Sequence, residues 1–329
     1  MTKTEINENP LLDILKVICA ALIVGSHSLP IFKSDILNTY YGQWFFRFCV
    51  PLFFISSGFF FQKMNKDKKL LYIKRILIIY LISSIIYFPI IYKSYPLTNV
   101  RGFLGIIKTL IFGYYHLWYL SALFFSLLIS YFFDGFFALS KHSRIYVLLL
   151  ALLLIIGVFF DEYYKLFDCS VLNFVALQIN RFGSTRHFLF MGIPLLTIGR
   201  LIYHLKEKIF KINYKVYVVL GIIFFALSFL ELYLLRQHIT DITCDLTFFN
   251  LGFPVCLFVV TFYWKPAFLK NRTTYLRKMV DIVYIVHVLF VFIIFDYTSL
   301  RYSVAYIVIL ALSLLLAILL LTISKVIKK

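Results

Sequence analysis

Apolar runs close to twenty residues long recur along the whole chain, and short segments rich in Lys and Arg separate them. A helix needs about 20 mostly apolar residues, at ~1.5 Å of rise each, to cross a bilayer. The pattern predicts ten such helices, over residues 11–32, 43–62, 76–92, 116–137, 146–161, 186–204, 216–235, 246–264, 280–297 and 303–324. After the third run, YKSYPLTNVRGFLGIIKTLIFGYY is too broken for a clean crossing and reads as an interfacial or re-entrant helix. Pro30 suits the end of the first helix, while Pro51 and Gly58 in the second predict a kink and a close helix contact. The polar stretch from Glu162 to Thr185 reads as a long loop.

Composition turns this pattern into a fold class. Of 329 residues, 62% are hydrophobic, 20% aromatic and only 15% charged, and the mean hydropathy is +0.91. A water-soluble domain of this length needs far more polar surface. The expectation is an all-α polytopic membrane protein, one transmembrane domain over residues 1–329. The net charge of +18 would suggest nucleic acid in a soluble chain. Here the cations sit between the apolar runs, so the partner they imply is the lipid bilayer. Counted by alternate segments, 22 Lys and Arg fall on one side and nine on the other. The positive-inside rule then places both termini in the cytoplasm. No small-residue cleavage site follows the first run, so that run is expected to stay in the membrane as an anchor. The location expected is a plasma membrane, in particular the cytoplasmic membrane of a bacterium.

The five cysteines show no metal-binding spacing, and no metal is expected. Cys19, Cys49 and Cys256 lie in apolar runs as small core residues. Cys169 and Cys244 fall in two loops expected on one side, where either a disulfide or two free thiols fits.

Candidate chemistry begins in the first run, LLDILKVICAALIVGSHSLPIF, which carries Asp13, Lys16 and His27. An ionisable group at the centre of a membrane helix costs roughly 2.5–3.5 kcal/mol on insertion scales. Lys16 and His27 are eleven residues apart, close to three turns, and so share one helix face about 16 Å apart along the axis. Asp13 precedes Lys16 by three residues, the spacing at which opposite charges pair. With the N-terminus inside, Lys16 lies near the cytoplasmic end and either snorkels to headgroups or serves a site. His27 lies in the outer third, as a packing histidine or as a general base.

Other polar residues in the runs admit paired readings too. Arg47 positions an acceptor or snorkels; His116 lines a site or joins an interfacial aromatic belt with Trp118 and Tyr119. Arg186, at the outer end of its run, either clamps a polar or anionic acceptor or has no site role, and the deep position of His287 favours lining a site over packing. Glu231 and Asp296, near helix ends, are expected to be solvated.

A basic residue followed by ten residues and then His, in an opening run that starts Leu-Asp, resembles the acyltransferase 3 family of membrane proteins. Leu12, Asp13, Lys16 and His27 occupy those places. VPLFFISSGFFF (Val50 to Phe61), HLWYLSALFF (His116 to Phe125), TRHFLFMGIPLLTIG (Thr185 to Gly199) and DIVYIVHVLF (Asp281 to Phe290) resemble four further family segments, in order. The resemblance implies about ten helices and transfer of an acyl group, usually acetyl, from cytoplasmic acyl-CoA. The acceptor it implies is a hydroxyl of a cell-envelope glycan or of another small molecule. His27 would be the catalytic histidine and Lys16 its basic partner. Lys74 and Arg75 would meet the anionic CoA, although Ile78 stands where the family often has a second arginine. Some segments look equally close to the branch that forms the membrane half of VanT-type serine racemases. That branch implies serine uptake instead, with a cytoplasmic enzyme domain or partner joined at the C-terminal side.

Overall fold

The computed structural model of the chain describes residues 9–134, 141–264 and 273–326, and among these no strand occurs. In chain order the helices are α1 (Pro10–His27), α2 (Asp35–Tyr40), α3 (Cys49–Lys63), α4 (Lys66–Ser94), α5 (Val100–Phe112), α6 (Trp118–Phe132) and α7 (Lys141–Asp161). They continue with α8 (Ser170–Arg181), α9 (Ile193–His204), the single turn α10 (Lys206–Ile209), α11 (Tyr214–Arg236), α12 (Gly252–Val260), α13 (Thr273–Tyr297) and α14 (Tyr302–Val326). Among the described residues, eight segments are long and apolar enough to cross a membrane. Two shorter apolar helices, Phe188–His204 and Phe249–Val260, correspond to the two remaining expected crossings. The protein is thus an all-helical polytopic membrane protein. The basic segments at 138–145 and 265–278 and both chain ends lie partly or wholly outside the described residues.

Local chemistry sets the helix ends. Asn9 caps α1, its Oδ1 accepting from the Leu12 amide at 3.0 Å, and Pro10 occupies the first helical position, where no N–H is needed. Asn65 caps α4 through the Lys68 amide at 3.0 Å, and Asn99 caps α5 through the Gly102 amide at 2.9 Å.

Three expectations change. The cap at Asn65 starts α4 at Lys66, so most of the basic segment expected as a loop is helix. Pro51 causes no kink within its helix. It falls in the first turn of α3, where its missing N–H breaks no hydrogen bond, and the irregular backbone lies upstream, in the π-helical turn Tyr41–Phe45. The stretch expected as loop from Glu162 to Thr185 contains α8.

The helix read as interfacial or re-entrant is present as α5. It buries Gly102, Ile106 and Thr109 and leaves Val100, Phe103, Leu104, Ile107, Leu110 and Ile111 exposed, an apolar stripe at helical spacing suited to lipid. Its last-turn carbonyls, at Thr109 and Leu110, accept from the Tyr80 hydroxyl of α4 at 3.2 and 2.9 Å.

The chain packs as two compact units. The first comprises residues 1–49, 214–223 and 253–329; its core joins Val24 of α1 to Met279, Val283, Val291 and Ile294 of α13 and to Ala305, Ile309 and Ala317 of α14. Asn9 Nδ2 donates to Thr261 Oγ1 at 2.8 Å, fixing the start of α1 in this unit.

The second unit comprises residues 50–213 and 224–252 and has its own core, with Phe54, Phe61, Leu123, Leu127, Met191, Leu195 and Leu196. Here α3 and α9 cross at reciprocal glycines. A Cβ on Gly58 would strike the Leu196 carbonyl, and one on Gly199 would strike the Ile55 carbonyl. Only glycine lets the two backbones approach this closely.

Candidate functional site

In the first unit, α1 and α13 pack side by side and bring His27 and His287 together, with ring centroids 5.2 Å apart and planes tilted by 48°. His287 is fully buried, whereas His27 is half-buried. The His287 Nδ1 lies 3.0 Å from the Val283 carbonyl oxygen and 2.8 Å from that of Tyr284. Carbonyl oxygens only accept, so Nδ1 carries a proton and Nε2 is the nitrogen left to gain or lose one. The same helix pair groups the charges: Lys16 of α1 stands within electrostatic range of Asp13, Asp281 and Arg277. The nearness of Asp13 to Lys16 agrees with their three-residue spacing. Asp13 is buried and also meets Arg277, Nε to Oδ2, at 3.5 Å. Asp281 and Arg277, one turn apart on α13, were not singled out from sequence, although both fall within or beside a segment that was.

Arg47, also in this unit, donates from Nε to the Gly42 carbonyl at 2.9 Å and lies over the Phe46 ring at 4.9 Å. It is half-buried rather than extended outward.

Apart from Asp296, which lies in the first unit, the remaining singled-out residues belong to the second. Lys74 and Arg75 are exposed on α4. His116 is buried, edge-on to Tyr87 at 4.9 Å. Arg186 pairs through Nε with Asp245. That pair belongs to a set of carboxylates holding residues 243–249. Asp161 accepts from the Leu246 amide at 3.0 Å and from Thr185 Oγ1 at 2.5 Å. Glu162, fully buried, accepts from the amides of Thr243 and Cys244 and from Lys165 Nζ at 2.9 Å. Glu231 accepts from the amides of Phe248 at 2.8 Å and Phe249 at 3.0 Å, and from the Tyr163 hydroxyl. Its expected solvation is therefore corrected: three donors sequester it from solvent, at 6% exposure. Asp296 is exposed, as expected. No disulfide joins Cys169 and Cys244.

A helical membrane protein with a histidine and a lysine on one face of its first crossing, the histidine set against a second buried one, has the parts for proton transfer inside an apolar domain. Residues 9–322 match the model of the acyltransferase 3 family, described as an acyltransferase domain, and the chain belongs to that family. It is also 30% identical over 249 residues to an amino-acid racemase of Enterococcus faecalis, an alignment covering 72% of this chain and 34% of the racemase. A second amino-acid racemase of that organism is 30% identical over 123 residues, covering 34% of this chain and 17% of the racemase. The chain spans about a third or less of these curated relatives. No solved structure matches it.

Proposed function

We propose that the chain moves an acyl group, acetyl in particular, from cytoplasmic acyl-CoA to a hydroxyl of a cell-envelope glycan or related small acceptor. Family membership supports acyl transfer as the reaction type, and the His27–His287 pair, on the same two helices as the Lys16 charge cluster, is the observation that carries it. In the direct form of this reaction, His27 takes the hydroxyl proton as the acceptor oxygen bonds to the acyl carbon. The carbon–sulfur bond breaks, and His27 returns the proton to the departing sulfur, so the net products are an ester and a free thiol. A relay through an acyl-enzyme has the same balance. A positioned base of this kind contributes 10²–10⁴-fold. The exposed Lys74 and Arg75 suit an initial encounter with a polyanionic donor. Lys16 shares the helix of the base, about three turns away, and Arg47 and His287 of the same unit are the proposed acceptor contacts.

The racemase relatives favour one second reading: a membrane portion that passes an amino acid such as serine across the bilayer without acyl transfer. Purified protein in nanodiscs or vesicles distinguishes the two. Acceptor-dependent release of free thiol from acetyl-CoA supports transfer. Serine uptake into vesicles without thiol release overturns it in favour of translocation.

A further inference from the structure

A second polar cluster lies within the second unit, on residues that the acyl-transfer reading does not use. Arg200 of α9 is fully buried and Lys69 of α4 is 4% exposed. Both bond to one carboxylate, Asp134, just beyond α6: Arg200 Nη2 to Oδ1 at 2.5 Å and Lys69 Nζ to Oδ2 at 2.6 Å. The guanidinium is held in place from behind. Its Nε donates to Gln62 Oε1 at 2.6 Å, and its Nη1 points to the Ser130 carbonyl at 3.4 Å.

Buried cations need matching anions. Here two buried cations share one carboxylate, and further bases crowd the same place. His204 lies within electrostatic range of Arg200, Lys69 and Lys206, and Lys63 within that of Lys206. Asp134 itself is 26% exposed while its partners are sealed beneath it, so the carboxylate sits at the mouth of the cluster. Four residues before it, in the last turn of α6, the Ser130 hydroxyl is buried and has no hydrogen-bond partner among the described residues. A buried donor of that kind, beside a rigid guanidinium fork and an ammonium, is the equipment for a multiply charged oxyanion.

We infer that Lys69 and Arg200, with Asp134 as their resident counter-ion and Ser130 beside them, form a receptor for a phosphate group on an incoming ligand. A phosphate brings more charge and more acceptor oxygens than a carboxylate, so it displaces Asp134 from the two cations. The inference stands on this cluster alone and does not require acyl transfer. Its carrier is either a phosphorylated soluble cofactor or an anionic lipid headgroup.

The test titrates the full chain in nanodiscs with pyrophosphate, following both heat of binding and melting temperature. Wild type is expected to bind. Lys69→Gln and Arg200→Gln should weaken binding about tenfold or more, the loss of one charged contact each. Asp134→Asn, which removes the competing carboxylate, should bind at least several-fold tighter and gain more melting temperature from pyrophosphate than wild type does. If Arg200→Gln does not fold, Lys69→Gln and Asp134→Asn decide. Tighter binding of CoA than of dephospho-CoA, lost in Lys69→Gln, identifies a soluble carrier; competition by phosphatidylglycerol in the disc identifies a lipid. Absence of pyrophosphate binding in wild type, or weaker binding by Asp134→Asn, overturns the inference and leaves the cluster as an ion network joining α4, α6 and α9.

Discussion

The imidazole rings of His27 and His287 lie 5.2 Å apart, and the backbone carbonyls of Val283 and Tyr284 fix which nitrogen of His287 can titrate. The pair makes His287 a partner of the base rather than a bystander in the core. His287→Phe, which keeps an aromatic ring but removes Nε2, is predicted to lower turnover about 10- to 100-fold. Its KM for acyl-CoA should change little, and the pH dependence of the rate should shift. Steady-state thiol-release kinetics across pH check this. An unchanged rate would reduce His287 to packing.

The glycine crossing of α3 and α9 makes a stability prediction. Gly58→Ala or Gly199→Ala places a Cβ against a backbone carbonyl that cannot rotate away. Either substitution should destabilise the protein by about 1–3 kcal/mol, the usual range for overpacking. Thermal unfolding in detergent reads the loss.

Glu162 anchors the 243–249 segment through the amides of Thr243 and Cys244. Removing one partner of a buried charged network costs about 3–5 kcal/mol. Glu162→Ala should therefore free the segment. The check is maleimide labelling of Cys244, only 2% exposed in the native fold, which should become fast in the variant. Continued protection of Cys244 would show that Asp161 and Glu231 hold the segment without Glu162.

The same carboxylate sets a pH dependence at Lys165. Burial works against the ammonium, but the hydrogen bond and charge of Glu162 outweigh it and raise the Lys165 pKa above 10.5. A raised folded pKa gives stability that is fully present below the unfolded value and lost as pH climbs through the folded one. Melting temperature should therefore fall above pH 10.5 more steeply in wild type than in Lys165→Met. Equal slopes would contradict the assignment.

What the sequence revealed follows from how local each signal is. Every apolar run corresponds to a helix because transfer into lipid depends on residues within that run. The close contact at Gly58 was legible for the same reason, and Lys16 with Asp13 follows from helical spacing alone. The partners of buried charges were not legible. Nothing in the sequence links Lys69 and Arg200 to Asp134, which is 65 and 66 residues away from them. Glu231 read as solvated because two of its donors are backbone amides, which carry no sequence signature, and the third, Tyr163, is 68 residues away. α8 was missed because Ser170 to Arg181 mixes polar and apolar residues and is too short for a crossing.

The central claim is that His27 is the base for acyl transfer, and the most direct measurement is acceptor-dependent thiol release from acetyl-CoA by purified wild type and His27→Ala at equal folded concentration. Wild type should release thiol only with a hydroxylated acceptor present. His27→Ala, melting within a few degrees of wild type, should fall by about 10²–10⁴-fold. A His27→Ala variant that transfers at the wild-type rate would contradict the account.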